Sequence, residues 1–260
     1  MIKYFRKVRQ SMLSEGKSGK YLKYAIGEII LVVIGILLAL QINSWNQHRI
    51  ENKQEKEVLS SLKEEFQYNF DELEESILIN KKVTQSCVKL TELIRTDSIN
   101  KMPEVVDKLL VNVGGFNSFD ARIGISGEVV NSGKLQILKN DEIRAQLGNW
   151  LKILSDCEED IHFRSDNYTM NLMPFLMKRF PLANGELSKK FEFDKSNYLV
   201  TYKDKSPFRM NLNMNELMEF ENQIWHHKHN HDYVVINELI IKDFINSTIK
   251  MIEEELNNIE

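Results

Sequence analysis

The chain has 260 residues, room for one good-sized domain plus an anchor or for two small domains, and its 42% hydrophobic and 28% charged content is that of a folded protein, not a disordered one. Two cysteines exclude a disulfide-stapled scaffold or a Cys-rich zinc site, and the few Gly and Pro favour long helices over a turn-rich β fold. Residues 1–23 hold seven Lys/Arg against Glu15, about +6, while residues 46–260 carry about −9; such an acidic body lacks the basic face that neutralises phosphates, so no nucleic-acid partner is expected.

Residues 1–20 form a basic leader, expected to be cytoplasmic. Ile2, Phe5, Val8 and Met12 recur at helical spacing among Lys3, Arg6, Lys7 and Arg9, the pattern of a short amphipathic helix lying on an anionic leaflet. A disordered basic flank that only sets topology is an equal reading. Gly16 and Gly19 are expected to break the leader before Tyr21.

Residues 21–45 read as a transmembrane helix. The apolar run Ile29–Leu40 is extended at both ends, and Tyr24 to Trp45 rises about 31 Å as a helix, matching the hydrocarbon thickness. Tyr21 and Tyr24 at one margin and Trp45 at the other suit the two headgroup levels. A cleaved signal peptide would have a shorter leader and a small-x-small exit, where this exit reads LLALQINSW. The leader carries more Lys/Arg than the twenty residues after Trp45, which have four, so the N-terminus is expected inside and the C-terminus outside. Gly27, Gly35 and Ala39 share one face, and Glu28 lies two turns before Gly35. Small residues let helices approach closely, and a carboxylate in a span faces protein or water, so this face is the candidate helix–helix contact. The plainer reading of Glu28 is that it reaches headgroup water.

The opening stretch resembles a family of uncharacterised bacterial proteins with one N-terminal span. Its signature is a basic leader, then Tyr-Ala-Ile-Gly-Glu-Ile (Tyr24 to Ile29), an Ile/Leu/Val run, and Leu-Gln-Ile-Asn-x-Trp-Asn (Leu40 to Asn46). A looser segment, Gly127 to Leu147, is similar to the family's mid-chain stretch. The resemblance implies an inner-membrane anchor with an external helical domain in a two-membrane bacterium. It brings no activity, cofactor or catalytic residue.

Residues 46–57 have almost no apolar stripe and read as a solvated stalk, with residues 58–260 as the external, periplasmic domain. From Val58/Leu59 through Leu62, Phe66, Phe70, Leu73, Ile77, Val83, Cys87, Leu90 and Ile94, apolar residues follow at three- and four-residue steps, an amphipathic helix that can run on from the span. Thr96–Ser98 ends it. Pro103 opens a short helix to about Val113, and a further one covers about 127–131, stopping at Ser132–Gly133. Asn140 caps a long helix that runs to about Phe180 with a kink at Pro174. Residues 181–212 suit a loop or short hairpin, and the last helix starts near Asn213 or Asn215. The expected fold is all-α: a transmembrane helix, a stalk and an external antiparallel bundle.

Chemistry-bearing patterns are sparse. Gly124, Gly127 and Gly133 lack the Lys-Ser/Thr of a phosphate loop and read as caps and turns. In the cluster His226, His227, His229 and His231, residues 227 and 231 are one turn apart, the spacing of a shared metal or a pH-sensing patch, although a solvated polar helix face is the favoured reading. Acid runs such as Glu64/Glu65 and Glu158–Asp160 read as solubilising faces. Cys87 and Cys157 each fall in an apolar stripe and read as core residues ahead of a disulfide. No catalytic residue, cofactor or metal is assigned. The expected function is a non-enzymatic, membrane-anchored periplasmic scaffold or adaptor that self-associates or docks on an envelope complex, with the bilayer and a second copy or another envelope protein as partners. The alternative is a single-span sensor subunit binding a ligand, proton or metal.

Overall fold

The computed structural model describes residues 18–187 and 202–259, and all regular structure among them is helical, as the periodicity predicts. The leader helix expected at Ile2–Met12 and most of the aromatic-rich stretch after Lys190 lie outside the described residues, as do the side chains of Tyr21 and Tyr24. The chain divides into two units, Met1–Glu57 and Val58–Glu260. Helix α1, Ser18–Arg95, contributes to both; it starts early enough that Gly19 lies in its first turn and not ahead of it.

In the first unit every residue from Ile29 to Ile50 is exposed. This part of α1 is long and apolar enough to cross a membrane, and the protein covers none of its most apolar window. After Trp45 the surface turns polar, with Gln47 donating to Glu51 at 2.9 Å and Lys53 facing Glu57 at 3.9 Å, pairs one turn apart.

The second unit is built on a strict alternation of three- and four-residue steps. On α1, residues 59, 62, 66, 69, 73, 76, 80, 83, 87, 90 and 94 are all buried. Helix α7, Met214–Ile259, which follows the one-turn α6, Ala183–Glu186, repeats the pattern at 217, 220, 224, 227, 231, 234, 238, 241, 245, 248 and 252. Such a seam keeps one stripe of a helix facing its neighbours over many turns. Helix α4, Asp141–Asn167, buries Ile143, Leu147, Trp150, Cys157 and Arg164 on the same rule.

Cross-helix pairs fix the directions. Lys63–Glu253, Glu74–Lys242, Ser76–Glu238 and Arg95–Glu221 run oppositely along α1 and α7, so these helices are antiparallel. Asn140–Glu255, Asp160–Asn237 and Asn167–His226 make α4 antiparallel to α7 as well. Phe66 against Trp150 and Asn80 against Arg164 leave α1 and α4 parallel.

Helix ends follow local chemistry. Asp97 adopts a left-handed conformation (φ 52°), which lets the Ser98 N–H reach back to the Leu93 carbonyl at 2.9 Å and close α1. Pro103 opens α2, Pro103–Gly114, and Gly133 (φ 75°) follows the end of α3, Gly124–Asn131, which starts three residues before its expected position. Asn140 caps α4 by accepting from the Glu142 and Ile143 N–H groups. Asn213 caps α7 through Asn215 and Glu216, and the Glu216 carboxylate accepts from the Asn213 N–H in return.

The long helix runs on as expected to Arg179, beside Phe180, and it yields ahead of Pro174 as a widened turn: α4 ends at Asn167, a π-helical turn spans Tyr168–Leu172, and α5, Met173–Arg179, continues from it. Pro174 has no N–H to give and its ring crowds the preceding turn, and a widened turn just before it relieves both.

Two apolar clusters fill the bundle. One gathers Leu59, Leu62, Phe66, Trp150, Ile241 and Ile245 around the start of the α1 seam; the other gathers Val83, Cys87, Leu90, Leu109, Phe175 and Phe220 around its end. Each fully buried side chain of this kind contributes about 1.5–3 kcal/mol. Cys87 and Cys157 are free, buried, and in different clusters.

Candidate functional site

Between the two clusters the seams turn polar at one level. Helix α1 supplies Ser76 and Asn80, one turn apart; α4 supplies Arg164; α7 supplies His227, His231 and Glu238. All six are buried. The segment joining α2 and α3 adds Phe116, Asn117 and Ser118 from the side.

Glu238 Oε1 accepts from the Ser76 hydroxyl at 2.6 Å and from Asn80 Nδ2 at 2.9 Å. The Asn80 side-chain Oδ1 accepts in turn from the Asn117 N–H at 3.3 Å and lies 3.5 Å from Arg164 Nη1. Arg164 clamps the α2–α3 segment: Nη1 donates to the Asn117 carbonyl and Nη2 to the Ser118 hydroxyl, each at 2.9 Å, and its guanidinium sits 4.5 Å from the centre of the Phe116 ring. Burial pushes Arg164 down to about 10, with Glu238 opposing, so it stays charged near neutrality. Burial raises Glu238, and Ser76, Asn80 and Arg164 pull the other way.

The two inner histidines sit in an aromatic box. His227 Nε2 lies 3.2 Å from the Val113 carbonyl; a carbonyl only accepts, so this nitrogen carries the proton. The His231 ring meets His227 edge-on at 4.6 Å, Phe116 lies 5.6 Å from His231, and Tyr168 lies 5.4 Å from His227. Burial pushes His227 down to about 4 and His231 to about 2, the latter aided by His227 and Arg164. Both rings are neutral near pH 7. Both ring nitrogens of His231, Nδ1 of His227, Nε of Arg164 and Oε2 of Glu238 are buried without a hydrogen-bond partner among the described residues. Buried polar atoms in that condition each cost about 1–3 kcal/mol. The level therefore holds a charged guanidinium, a carboxyl group that accepts from Ser76 and Asn80, and two imidazoles that burial keeps neutral near pH 7.

The histidine cluster thus divides. A solvated face describes His226 and His229 but not His227 and His231, because the seam that buries Ile224 and Val234 passes through these two. His226 Nδ1 accepts from Asn167 Nδ2 at 2.6 Å and its ring faces Phe163 at 6.5 Å, while His229 stacks on the exposed Trp225 at 5.3 Å and meets Tyr233 at 5.0 Å. Among the described residues no group of three or more His, Cys, Asp and Glu has the arrangement to hold a metal ion.

In the apolar part of α1, Gly27, Gly35 and Ala39 are exposed, and a Cβ built on either glycine meets nothing within 4 Å. Glu28 is half-buried, and Trp45 is exposed with the Arg49 guanidinium 5.9 Å from its ring.

Among the acid runs, one residue departs from the expected solvated face. Glu65 is not part of a solubilising face: it is buried, and its two carboxylate oxygens accept from the Ile125 and Ser126 N–H groups at 2.6 and 2.9 Å, holding the first turn of α3. Asn69, one turn on, exchanges hydrogen bonds with the Arg122 N–H and carbonyl at 2.7 and 2.8 Å.

Comparison with known proteins finds a match to a family of unknown function (DUF6090) over residues 28–154, just under half of the chain. The match runs from within the apolar part of α1 to the middle of α4. No curated protein and no solved structure matches the chain.

Proposed function

We propose that the protein is a membrane-tethered helical scaffold or adaptor without enzymatic activity. The apolar part of α1 is anchored in a bacterial inner membrane, the basic leader stays in the cytoplasm, and the bundle stands in the periplasm, where the protein self-associates or docks on an envelope complex. One observation carries this reading. Every residue from Ile29 to Ile50 is exposed, while the same helix from Leu59 onward is buried at each seam position. An uncovered apolar run of that length demands lipid or another helix. The basic leader supports the orientation, and Gly27, Gly35 and Ala39 with Glu28 supply the contact between two spans. In intact membranes, alkaline washing leaves the protein in the pellet, and lysine crosslinking yields a dimer that Gly35→Leu weakens. Release by alkali removes the anchor, and a strictly monomeric chain with wild-type and Gly35→Leu behaving alike removes self-association.

A second reading is favoured by His227 and His231. As a single-span sensor subunit, the protein takes up a proton at the buried polar level and passes the resulting change in helix register to a partner. Amide exchange along α7 that is the same at neutral and mildly acidic pH rules this out.

A further inference from the structure

Residues near the C-terminal end of α1 and in the first half of α7 enclose a surface groove of about 640 Å3, lined by Glu92, Arg95, Glu221, Asn222, Trp225 and Lys228 among others. Its size is within the roughly 300–1,000 Å3 of ligand clefts. Three properties narrow what it can take.

The first is a braced, exposed indole. Trp225 is 60% exposed, yet its ring is not free to wander: His229 lies against it nearly parallel at 5.3 Å, and Tyr233 meets His229 edge-on at 5.0 Å. His226, held by Asn167, runs alongside at 6.2 Å. An aromatic face presented to solvent and already ordered loses little entropy when something stacks on it.

The second is charge balance. Glu92 and Glu221 oppose Arg95 and Lys228, and three of these four are already paired: Arg95 Nε with Glu221 at 2.6 Å, and Lys228 with Asp232 at 2.6 Å. The four lining charges cancel, so a neutral ligand meets no net charge to work against there. The third is the type of polar group. Carboxylate, guanidinium and amide are flat, two-pronged donors and acceptors, matched to pairs of adjacent hydroxyls.

A neutral ligand with one flat C–H face and a rim of hydroxyls meets all three requirements. We propose that this groove binds a neutral oligosaccharide, with Trp225 as the stacking platform and Glu92, Glu221, Arg95 and Asn222 as hydroxyl partners. The surface histidines His226 and His229 brace the platform and do not themselves bind ligand. The site is independent of membrane anchoring.

The test uses the full chain in lipid nanodiscs, free of sugar-based detergents. Calorimetry and tryptophan fluorescence are followed with maltotetraose, cellotetraose and the N-acetylglucosamine tetramer, and with an uncharged blocked tetrapeptide as the control. At least one sugar binds saturably; Trp225→Ala weakens it about tenfold or more without changing the thermal melt, Trp225→Phe retains part of the binding, and Asn222→Ala weakens it with the indole intact. No saturable binding of any of the three sugars up to about 10 mM overturns the proposal. So does binding that survives Trp225→Ala, or a tetrapeptide that competes on equal terms, which assigns the groove to a protein partner.

Discussion

Helix α1 carries two apolar regions with opposite fates. From Ile29 to Ile42 the apolar side chains surround the helix on all sides and every one is exposed; from Leu59 to Ile94 the buried positions fall in a single stripe that steps by three and four. One continuous helix thus presents two faces of the same physics. An apolar surface all round suits a uniform apolar solvent, whereas a stripe suits neighbours on one side and water on the other. A carboxylate placed in each region tests this most severely. Leu62→Asp buries an unpaired charge in a site with no exposure, costs about 4 kcal/mol or more, and leaves a bundle that has no cooperative melt but stays with the membrane pellet. Leu37→Asp does the reverse: the bundle melts as in the wild type, by circular dichroism, and the chain is lost from the membrane fraction, since a central carboxylate costs roughly 2.5–3.5 kcal/mol on insertion. If Leu37→Asp lowers the melt as much as Leu62→Asp does, the two regions are not distinct.

The buried polar level, which the first region lacks, makes the stability of the bundle a function of pH. His227 and His231 are held at about 4 and about 2, below their ordinary value near 6.5, so as pH falls through 6.5 the unfolded chain takes up two protons that the folded chain refuses. Stability from this pair is complete above 6.5 and drains away toward acid. Glu238 acts in the opposite sense: its raised value means the folded chain holds a proton that the unfolded chain releases above about 4.5, so its contribution grows toward acid. Glu238 offsets part of what the two imidazoles lose, so the protein is less stable at pH 4 than at neutral pH, by at most about 1.4 kcal/mol per pH unit for each imidazole. Urea titrations across that range measure it. His231→Asn leaves one imidazole against Glu238 and flattens the curve, and a wild-type protein equally stable at both ends contradicts the burial of the pair.

Most of the helical framework is legible in the sequence because its signals are local. Asn140, Asn213, Pro103 and Gly133 mark helix ends by their own chemistry, and the structure places them within two residues of those ends. The polar level was written there too, in a form that apolar periodicity overlooks. Carrying the three-and-four step through Asn69, Ser76 and Asn80 on α1, and through His227, His231 and Glu238 on α7, puts all six on the buried seam. What no local pattern supplies is which partners meet them. Arg164 is buried because Asn117, Ser118 and Phe116 cross over it from a segment more than forty residues away, a contact set by tertiary packing. The widened turn before Pro174 has the same origin: proline dictates that the helix must yield, and packing decides how.

Glu64 and Glu65 restate the contrast between exposed and buried at the scale of one residue, and give the smallest of these effects. The two are alike in type and neighbourhood, beside Lys63, but a helix turns by about 100° between them. Glu64 is exposed; Glu65 is buried with both oxygens on the first N–H groups of α3. Those N–H groups have no partner within their own helix, so a carboxylate there satisfies two donors and sits at the positive end of the helix dipole. Removing it strands both donors in a dry interior. Glu65→Ala is expected to cost about 2 kcal/mol and to expose the Ile125 and Ser126 amides to fast exchange, while Glu64→Ala stays within about 0.5 kcal/mol with those amides protected. Glu65→Gln keeps one acceptor, gives up the charge, and falls between the two. Equal stability and equal exchange for the two alanine variants would mean that the Glu65 carboxylate does not hold the first turn of α3, and that α3 is held by its apolar contacts alone.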